Sequence, residues 1–186
     1  MKDEQIVSLY WERNEDAIAQ TQRKYGVYLW KISHNILSDG EDSHECVNDT
    51  YLKAWNSMPP HRPSLLSTYL GKITRQLSID VFRRKRSAKR LPSQYALSLD
   101  ELGDTFSHGD TPEQELDAKV LQEAVERFVR ELPAEARNAF VGRYYFFDSV
   151  SEVARYCGMT ESGVKSLLYR TRQNLKDHLA KEGFSV

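Results

Sequence analysis

Cysteine is scarce in this chain of 186 residues, which holds only two. Cys46 and Cys157 lie far apart and neither belongs to a C-x-x-C pair, so the sequence offers neither a disulfide framework nor a zinc ribbon. No stretch approaches the roughly 18 apolar residues that would span a bilayer, and no apolar segment follows the polar N-terminus as in a secretory signal. We therefore expect a protein of the reducing cytoplasm, without membrane insertion.

Motifs for catalysis and cofactor binding are also missing. The sequence has neither the G-x-x-x-x-G-K-[S/T] phosphate loop nor the G-x-G-x-x-G dinucleotide fingerprint. The five histidines are scattered, and His44 with Cys46 would supply two metal ligands without a second pair to complete a site. We expect no enzymatic activity, no metal and no cofactor.

The net charge of −1 conceals an uneven distribution of charge along the chain. From Gly71 to Arg90 there are eight basic residues and one acidic residue, whereas from Ser98 to Glu126 there are nine acidic residues and one basic residue. A basic block of this kind is typical of a surface that binds nucleic acid. The composition, with 40% hydrophobic residues and few glycines and prolines, favours compact cores over disorder.

Between the two charged blocks, Pro, Ser, Gly and Asp collect without a sustained period, which is typical of a linker. Elsewhere apolar residues recur every three or four positions, the period of an α-helix. We predict an all-α fold with two small helical domains, residues 1–88 and 112–186, joined by a flexible acidic linker at 89–111. A capping box at residues 111–114 opens the second domain.

The basic helix of the first domain runs from about Ser64 to Arg84 and has an apolar face opposite a cationic face. The residues expected to face inward are Leu70, Ile73, Leu77 and Val81, and the cationic stripe on the other face is Lys72, Arg75, Gln76, Ile79 and Arg83. This stripe favours binding of nucleic acid, and a solvated helix end remains the alternative. The preceding loop, which contains His61 and Arg62, is stiffened by three prolines and would form a wall or a pocket.

The second domain contains the pattern of a helix-turn-helix. A short helix from Ser149 to Tyr156, opened by a capping box, is followed by a turn at Gly158 and a longer helix that Thr160 caps. These lengths match the DNA-binding motif, in which the second helix reads the major groove. The alternative is an ordinary amphipathic helix. The predicted outward residues are Ser162, Lys165, Ser166, Tyr169 and Arg170, flanked by Arg172 and Gln173.

The order of these features resembles the sigma factors of bacterial RNA polymerase, specifically the small two-domain extracytoplasmic-function (ECF) group. Three stretches carry the resemblance: the acidic segment 42–55 that ends in Ala54-Trp55, the segment 69–86, and the segment 132–175. The resemblance implies a polymerase subunit that directs promoter recognition and melting, with core RNA polymerase (β and β′ subunits) and promoter DNA as partners.

The resemblance also implies roles for particular residues. Glu45, Asn48 and Asp49 would dock on core polymerase at β′. The residues implied for the −10 element are Lys72, Arg75, Gln76, Arg83, His61 and Arg62. The residues implied for the −35 element are Ser162, Lys165, Ser166, Tyr169, Arg170 and Arg172. The acidic linker would occupy a polymerase channel made for nucleic acid or serve as a solvated spacer, and control would come from an anti-sigma factor or from synthesis.

Two rival functions remain open on the sequence. A helix-turn-helix regulator would bind duplex DNA by itself, usually as a dimer on a palindrome. A protein-interaction module would use the basic block for an acidic partner and would show no promoter preference. A sigma factor, in contrast, would bind DNA weakly until it joins the polymerase.

Overall fold

The computed structural model describes residues 1–86, 93–103 and 114–184. The described residues form nine α-helices and no strand, so the all-α prediction is confirmed. The chain divides into two compact units, Met1–Ser93 and Gln94–Val186. Within the described ranges, every helix is too short or too polar to cross a membrane.

The first unit contains four helices, α1 (Asp3–Trp11), α2 (Asp16–Leu37), α3 (Gly40–Ser57) and α4 (Leu66–Arg86). Helices α2, α3 and α4 pack against one another in all three pairings, and α1 lies against α2. The first unit is thus built from three long helices and one short helix. The core includes Ile6, Tyr10, Leu29, Val47, Tyr51, Ala54, Met58, Leu66 and Leu70.

Hydroxyl side chains fill the interfaces of α4 with its two neighbours. Thr50 and Thr74 join α3 to α4 through hydroxyls 2.9 Å apart, and Ser78 on α4 donates to Ser33 on α2 at 2.8 Å. All four residues are fully buried. Because a hydroxyl both donates and accepts, the pairs satisfy each other and let the helices approach closely.

These hydroxyls correct the predicted orientation of α4. Of the four residues expected to face inward only Leu70 is fully buried, whereas Ile73, Leu77 and Val81 are half-buried. Ile79, which was predicted on the cationic stripe, is buried. The prediction was wrong because apolar residues alone defined the inward face. The buried stripe of α4 is Leu66, Leu70, Thr74, Ser78 and Phe82.

The second unit contains α5 (Gln94–Gly103), α6 (Gln114–Glu131), α7 (Ala134–Tyr144), α8 (Val150–Cys157) and α9 (Glu161–Lys181). Helix α9 packs on α6, α7 and α8, and α5 lies on α7. The core includes Ala124, Phe128, Ala139, Phe140, Tyr144, Val153, Ala154, Val164, Leu168, Leu175 and Leu179.

Helix α5 contradicts the expectation that residues 94–103 form an irregular linker. Its Tyr95 is buried and meets Phe147 edge to face, with ring centroids 4.8 Å apart. A ten-residue helix is marginal by itself, so its order depends on packing that a local period does not reveal. Three of the four residues of the capping box predicted at 111–114, namely 111–113, lie outside the described residues.

Candidate nucleic-acid interface

Capping residues mark both ends of α8 and the start of α9 in the helix-turn-helix. The Ser149 hydroxyl accepts from the Glu152 amide at 3.2 Å, and the Glu152 carboxylate accepts from the Ser149 amide at 2.9 Å, which completes the predicted capping box. Gly158 ends α8 in the left-handed region, with φ +66°. The Thr160 hydroxyl then accepts from the Gly163 amide at 3.1 Å and caps α9.

Helix α9 separates a buried face from an exposed polar face. Val164, Leu168 and Thr171 are buried, and Leu167 is half-buried. Tyr169 is 57% exposed, although it is a large aromatic residue. An exposed ring beside cations and hydroxyls is suited to base edges and phosphates. The residues that the structure brings together on this face are Ser162, Lys165, Ser166, Tyr169, Arg170 and Gln173.

Arg172 does not belong to that exposed face, so its predicted exposure was wrong. Its side chain is only 15% exposed, and Nη1 donates to the Tyr144 hydroxyl at 2.6 Å. The same nitrogen lies 3.8 Å from a Glu101 carboxylate oxygen. The guanidinium carbon is 5.9 Å from the centre of the Tyr169 ring, so Arg172 lies between the interior of the unit and this exposed ring.

A second arginine, Arg143, is almost completely buried, at 2% exposure. Its guanidinium makes a two-pronged contact with the Glu101 carboxylate, at 2.7 and 3.2 Å, and donates to the Gln94 side chain at 2.9 Å and the Asp148 carbonyl at 3.0 Å. Burial raises the pKa of Glu101. The hydrogen bond and charge of Arg143, with smaller contributions from Tyr144 and Arg172, together outweigh burial, so the pKa of Glu101 lies below its ordinary value. Sequence reasoning missed this network, whose only signal is an arginine between the core residues Phe140 and Tyr144.

On α4 the structure confirms exposure for most of the predicted cationic residues. Lys72, Gln76 and Arg83 are exposed, and Arg75 is half-buried. The Gln76 side-chain amide donates to the Asp80 carboxylate at 3.0 Å. The exposed end of α4 is therefore cationic with an amide at its centre, as predicted.

The loop before α4 is tied to α1 through Trp11. The Trp11 indole donates to the His61 carbonyl at 3.3 Å, and the Arg62 guanidinium lies 5.5 Å from the Trp11 ring centre. Arg62 also donates to the Ser8 hydroxyl at 3.3 Å. His61 and Arg62 are both exposed, and Trp11 remains 38% exposed. No signal in the sequence placed Trp11 beside this loop.

Helix α3 carries the predicted polymerase-docking residues on one exposed face. Glu45, Asn48 and Asp49 are all exposed there. Leu52, one turn further along the helix, is 58% exposed and was not predicted as part of the surface.

No group of three or more metal-ligating side chains forms within the described ranges.

Two family models match this chain. Sigma-70 region 2 matches residues 22–88, which hold most of α2, α3, the loop and α4. Sigma-70, region 4 matches residues 122–175, which include the helix-turn-helix. Together the two models cover more than half of the chain, and they define the class of protein as a sigma-70 type factor.

Individual sigma factors that are similar to this chain indicate which group of sigma factors it resembles. The chain is 26% identical over 174 residues to RNA polymerase sigma factor YlaC of Bacillus subtilis, covering 91% of this chain and 95% of YlaC. It is 24% identical over 156 residues to ECF RNA polymerase sigma factor SigM of the same organism, covering 82% and 90%. The match to ECF RNA polymerase sigma factor SigE of Mycolicibacterium smegmatis is 25% identical over 162 residues and covers 86% of this chain but 60% of SigE.

Two solved structures are also similar to the chain. One is CnrH in complex with the cytosolic domain of CnrY, with a TM-score of 0.45, 18% identity and coverage of 96% of this chain and 97% of that one. The other is the sigma factor RpoE in complex with the anti-sigma factor NepR from Bartonella quintana, with a TM-score of 0.36, 23% identity and coverage of 89% and 98%.

The family matches and the curated relatives agree, and this chain belongs to the ECF group of bacterial RNA polymerase sigma factors. As a sigma factor it binds core RNA polymerase and directs promoter recognition and DNA melting when transcription begins.

Proposed function

We propose that this sigma factor divides promoter recognition between its two units. The residues 112–186 read the −35 element as duplex, and the residues 1–88 bind the −10 element as a single strand. The observation that carries the proposal is the exposed face of α9, where Lys165 and Tyr169 project from a helix-turn-helix capped at both inner ends.

For the −35 element, Lys165, Ser166, Tyr169 and Arg170 contact base edges and phosphates in the major groove. Ser162, at the start of α9, donates to the phosphate backbone of the DNA. Arg172 contributes through Tyr169 and not by direct contact, because its guanidinium is bonded to Tyr144.

For the −10 element, Lys72, Arg75 and Arg83 bind phosphates, and the Gln76 amide reads a base. His61 and Arg62 line the wall against which an unstacked base is held. Because the unit binds the melted strand better than the duplex, it shifts the equilibrium toward open DNA without ATP. The protein contributes no catalytic group, since polymerase makes the RNA, and it acts in the cytoplasm with the polymerase.

The α3 face formed by Glu45, Asn48 and Asp49 docks on the β′ subunit, and Leu52 adds apolar contact at its edge. A charge reversal tests this assignment. Asp49→Lys should weaken binding of the full chain to core polymerase by at least tenfold, whereas Glu12→Lys, an equal reversal at an exposed position of the same unit, should not. Equal affinity of the two variants would remove α3 from the interface.

Control in trans by an anti-sigma factor is part of the proposal. Pull-down with the full chain from uninduced cells should recover an inhibitor protein. If no inhibitor is recovered while core polymerase is, control lies in synthesis of the factor.

Transcription in vitro from genomic fragments tests the proposal as a whole. Core polymerase with this protein should give discrete new RNA 5′ ends that share an upstream motif and that core polymerase alone does not give. Lys165→Ala with Tyr169→Ala should abolish these starts while leaving core binding intact. Core binding without new starts, together with duplex binding by the free protein, would indicate the rival helix-turn-helix regulator.

A further inference from the structure

Helix α5 belongs to the second unit and supplies both side chains that neutralise or hydrogen-bond the buried Arg143 guanidinium. Glu101 gives the two-pronged carboxylate contact and Gln94 accepts at 2.9 Å. A buried guanidinium without a carboxylate partner is strongly unfavourable. The interior of the unit is therefore complete only with α5 docked, although α5 lies outside the stretch that the region 4 model matches.

From Glu101 a continuous series of contacts leads to the exposed face of α9. The Tyr144 hydroxyl donates to a Glu101 carboxylate oxygen at 2.9 Å and accepts from Arg172 at 2.6 Å. The Arg172 guanidinium lies beside the Tyr169 ring, with 5.9 Å between its central carbon and the ring centre. Each step is within the second unit, and the last residue is an exposed reader.

We propose that Glu101 is a positioning residue for reading of the −35 duplex. Its carboxylate fixes the Tyr144 hydroxyl, this hydroxyl orients Arg172, and Arg172 holds the ring of Tyr169 in the orientation that meets the DNA. The proposal rests on the proposed function of α9. It also assigns the Glu101 charge to the interior of the unit, so this residue does not serve as a free acid for a polymerase channel.

Two variants of the full chain test the positioning role. Glu101→Gln replaces one carboxylate oxygen by a donor that faces the donors of Arg143 and Tyr144. Tyr144→Phe removes only the hydroxyl and leaves the Glu101–Arg143 contact in place, so it separates positioning from folding. The matched control is Asp100→Asn, because Asp100 is the exposed neighbour on the same helix and loses the same charge.

The measurement is transcription by the assembled holoenzyme from two templates. One has the −35 element intact, and the other has it scrambled with a premelted −10 element. Glu101→Gln and Tyr144→Phe should lower transcription from the first template about tenfold, which is the usual scale for the loss of one hydrogen bond. Transcription from the second template should be unchanged. Asp100→Asn should match the wild type on both. Equal loss on the two templates, or no loss on either, would overturn the proposal.

Base preference gives a readout that mere destabilisation would not produce. In selections from a randomised −35 duplex, Tyr144→Phe and Tyr169→Ala should weaken preference at the same base pair. Uniform weakening at every position by Tyr144→Phe would contradict the positioning role. If the wild-type protein itself ignores the −35 sequence, the proposed function of α9 fails, an outcome distinguishable from failure of Glu101 alone.

Discussion

The two units stabilise their buried polar groups in different ways. In the first unit, the neutral hydroxyls of Thr50 and Thr74 lie 2.9 Å apart across a helix interface, and each also lies within hydrogen-bond distance of a carbonyl of its own helix. Because each hydroxyl has one hydrogen, one of the two donates to the other and the second donates to its own helix. In the second unit, a guanidinium is buried and paired with a carboxylate 42 positions away in sequence. Removal of one hydroxyl is a local loss, whereas removal of the charge pair affects α5, α7 and α9 together. The DNA-reading face of the second unit thus depends on residues outside its helix-turn-helix.

The largest expected effect comes from removing the buried cation. Arg143→Ala should lower the free energy of unfolding of the second unit by about 3–5 kcal/mol, because the half-buried Glu101 loses its two-pronged contact with Arg143 and keeps only Tyr144 and the more distant Arg172. All three tryptophans, Trp11, Trp30 and Trp55, lie in the first unit. Urea denaturation followed by circular dichroism should therefore show an early transition that tryptophan fluorescence does not. If both signals shift together, the two units unfold as one, and the comparison fails.

A smaller effect is expected from the neutral pair of the first unit. Thr74→Val should cost about 1 kcal/mol, because Thr50 still donates to the Cys46 carbonyl at 2.8 Å and is not left without a partner. Tryptophan fluorescence during denaturation measures this loss, and Thr68→Val, at an exposed position of α4, is the control. A loss above 3 kcal/mol would mean that the hydroxyl pair is as critical as the buried charge.

The smallest expected effect is on the pH dependence of stability in the acid range. Because the pKa of Glu101 is lower in the folded than in the unfolded protein, its contribution to stability is present above the ordinary carboxyl value of about 4.3 and is lost as the pH falls through the folded pKa. Glu101→Gln should reduce the slope of stability against pH in this acid range, measured by circular dichroism. An unchanged slope would show that Arg143 does not depress the pKa of Glu101.

The elements with strong local signals were predictable from the sequence. Ser149, Gly158 and Thr160 mark the ends of α8 and α9 by cap chemistry alone, and the structure confirms all three. The exposed face of α9 followed from helical period, whereas the docking residues of α3 came from the family resemblance. The family resemblance added the roles of these faces, which no local physical rule could supply.

The features that depend on tertiary contacts were not predictable. Helix α5 is short and lies in an acidic, serine-containing stretch, so its order depends on Arg143 and Phe147 in a distant helix and loop. Arg172 was predicted to flank the outward face, but its side chain is only 15% exposed and donates to the Tyr144 hydroxyl. The inward face of α4 was misassigned because hydroxyls that bond one another can replace apolar residues in a core.

The most direct test of the division of labour uses four templates, with the −35 element intact or scrambled and the −10 sequence intact or scrambled, all premelted over the −10 segment. The account predicts that Tyr169→Ala lowers transcription only from templates with an intact −35 element. Gln76→Ala should lower transcription from every template with an intact −10 sequence, whatever the state of the −35 element. If either variant produced the same loss regardless of the element it is assigned to read, the two units would not act on separate promoter elements, and the central claim would be wrong.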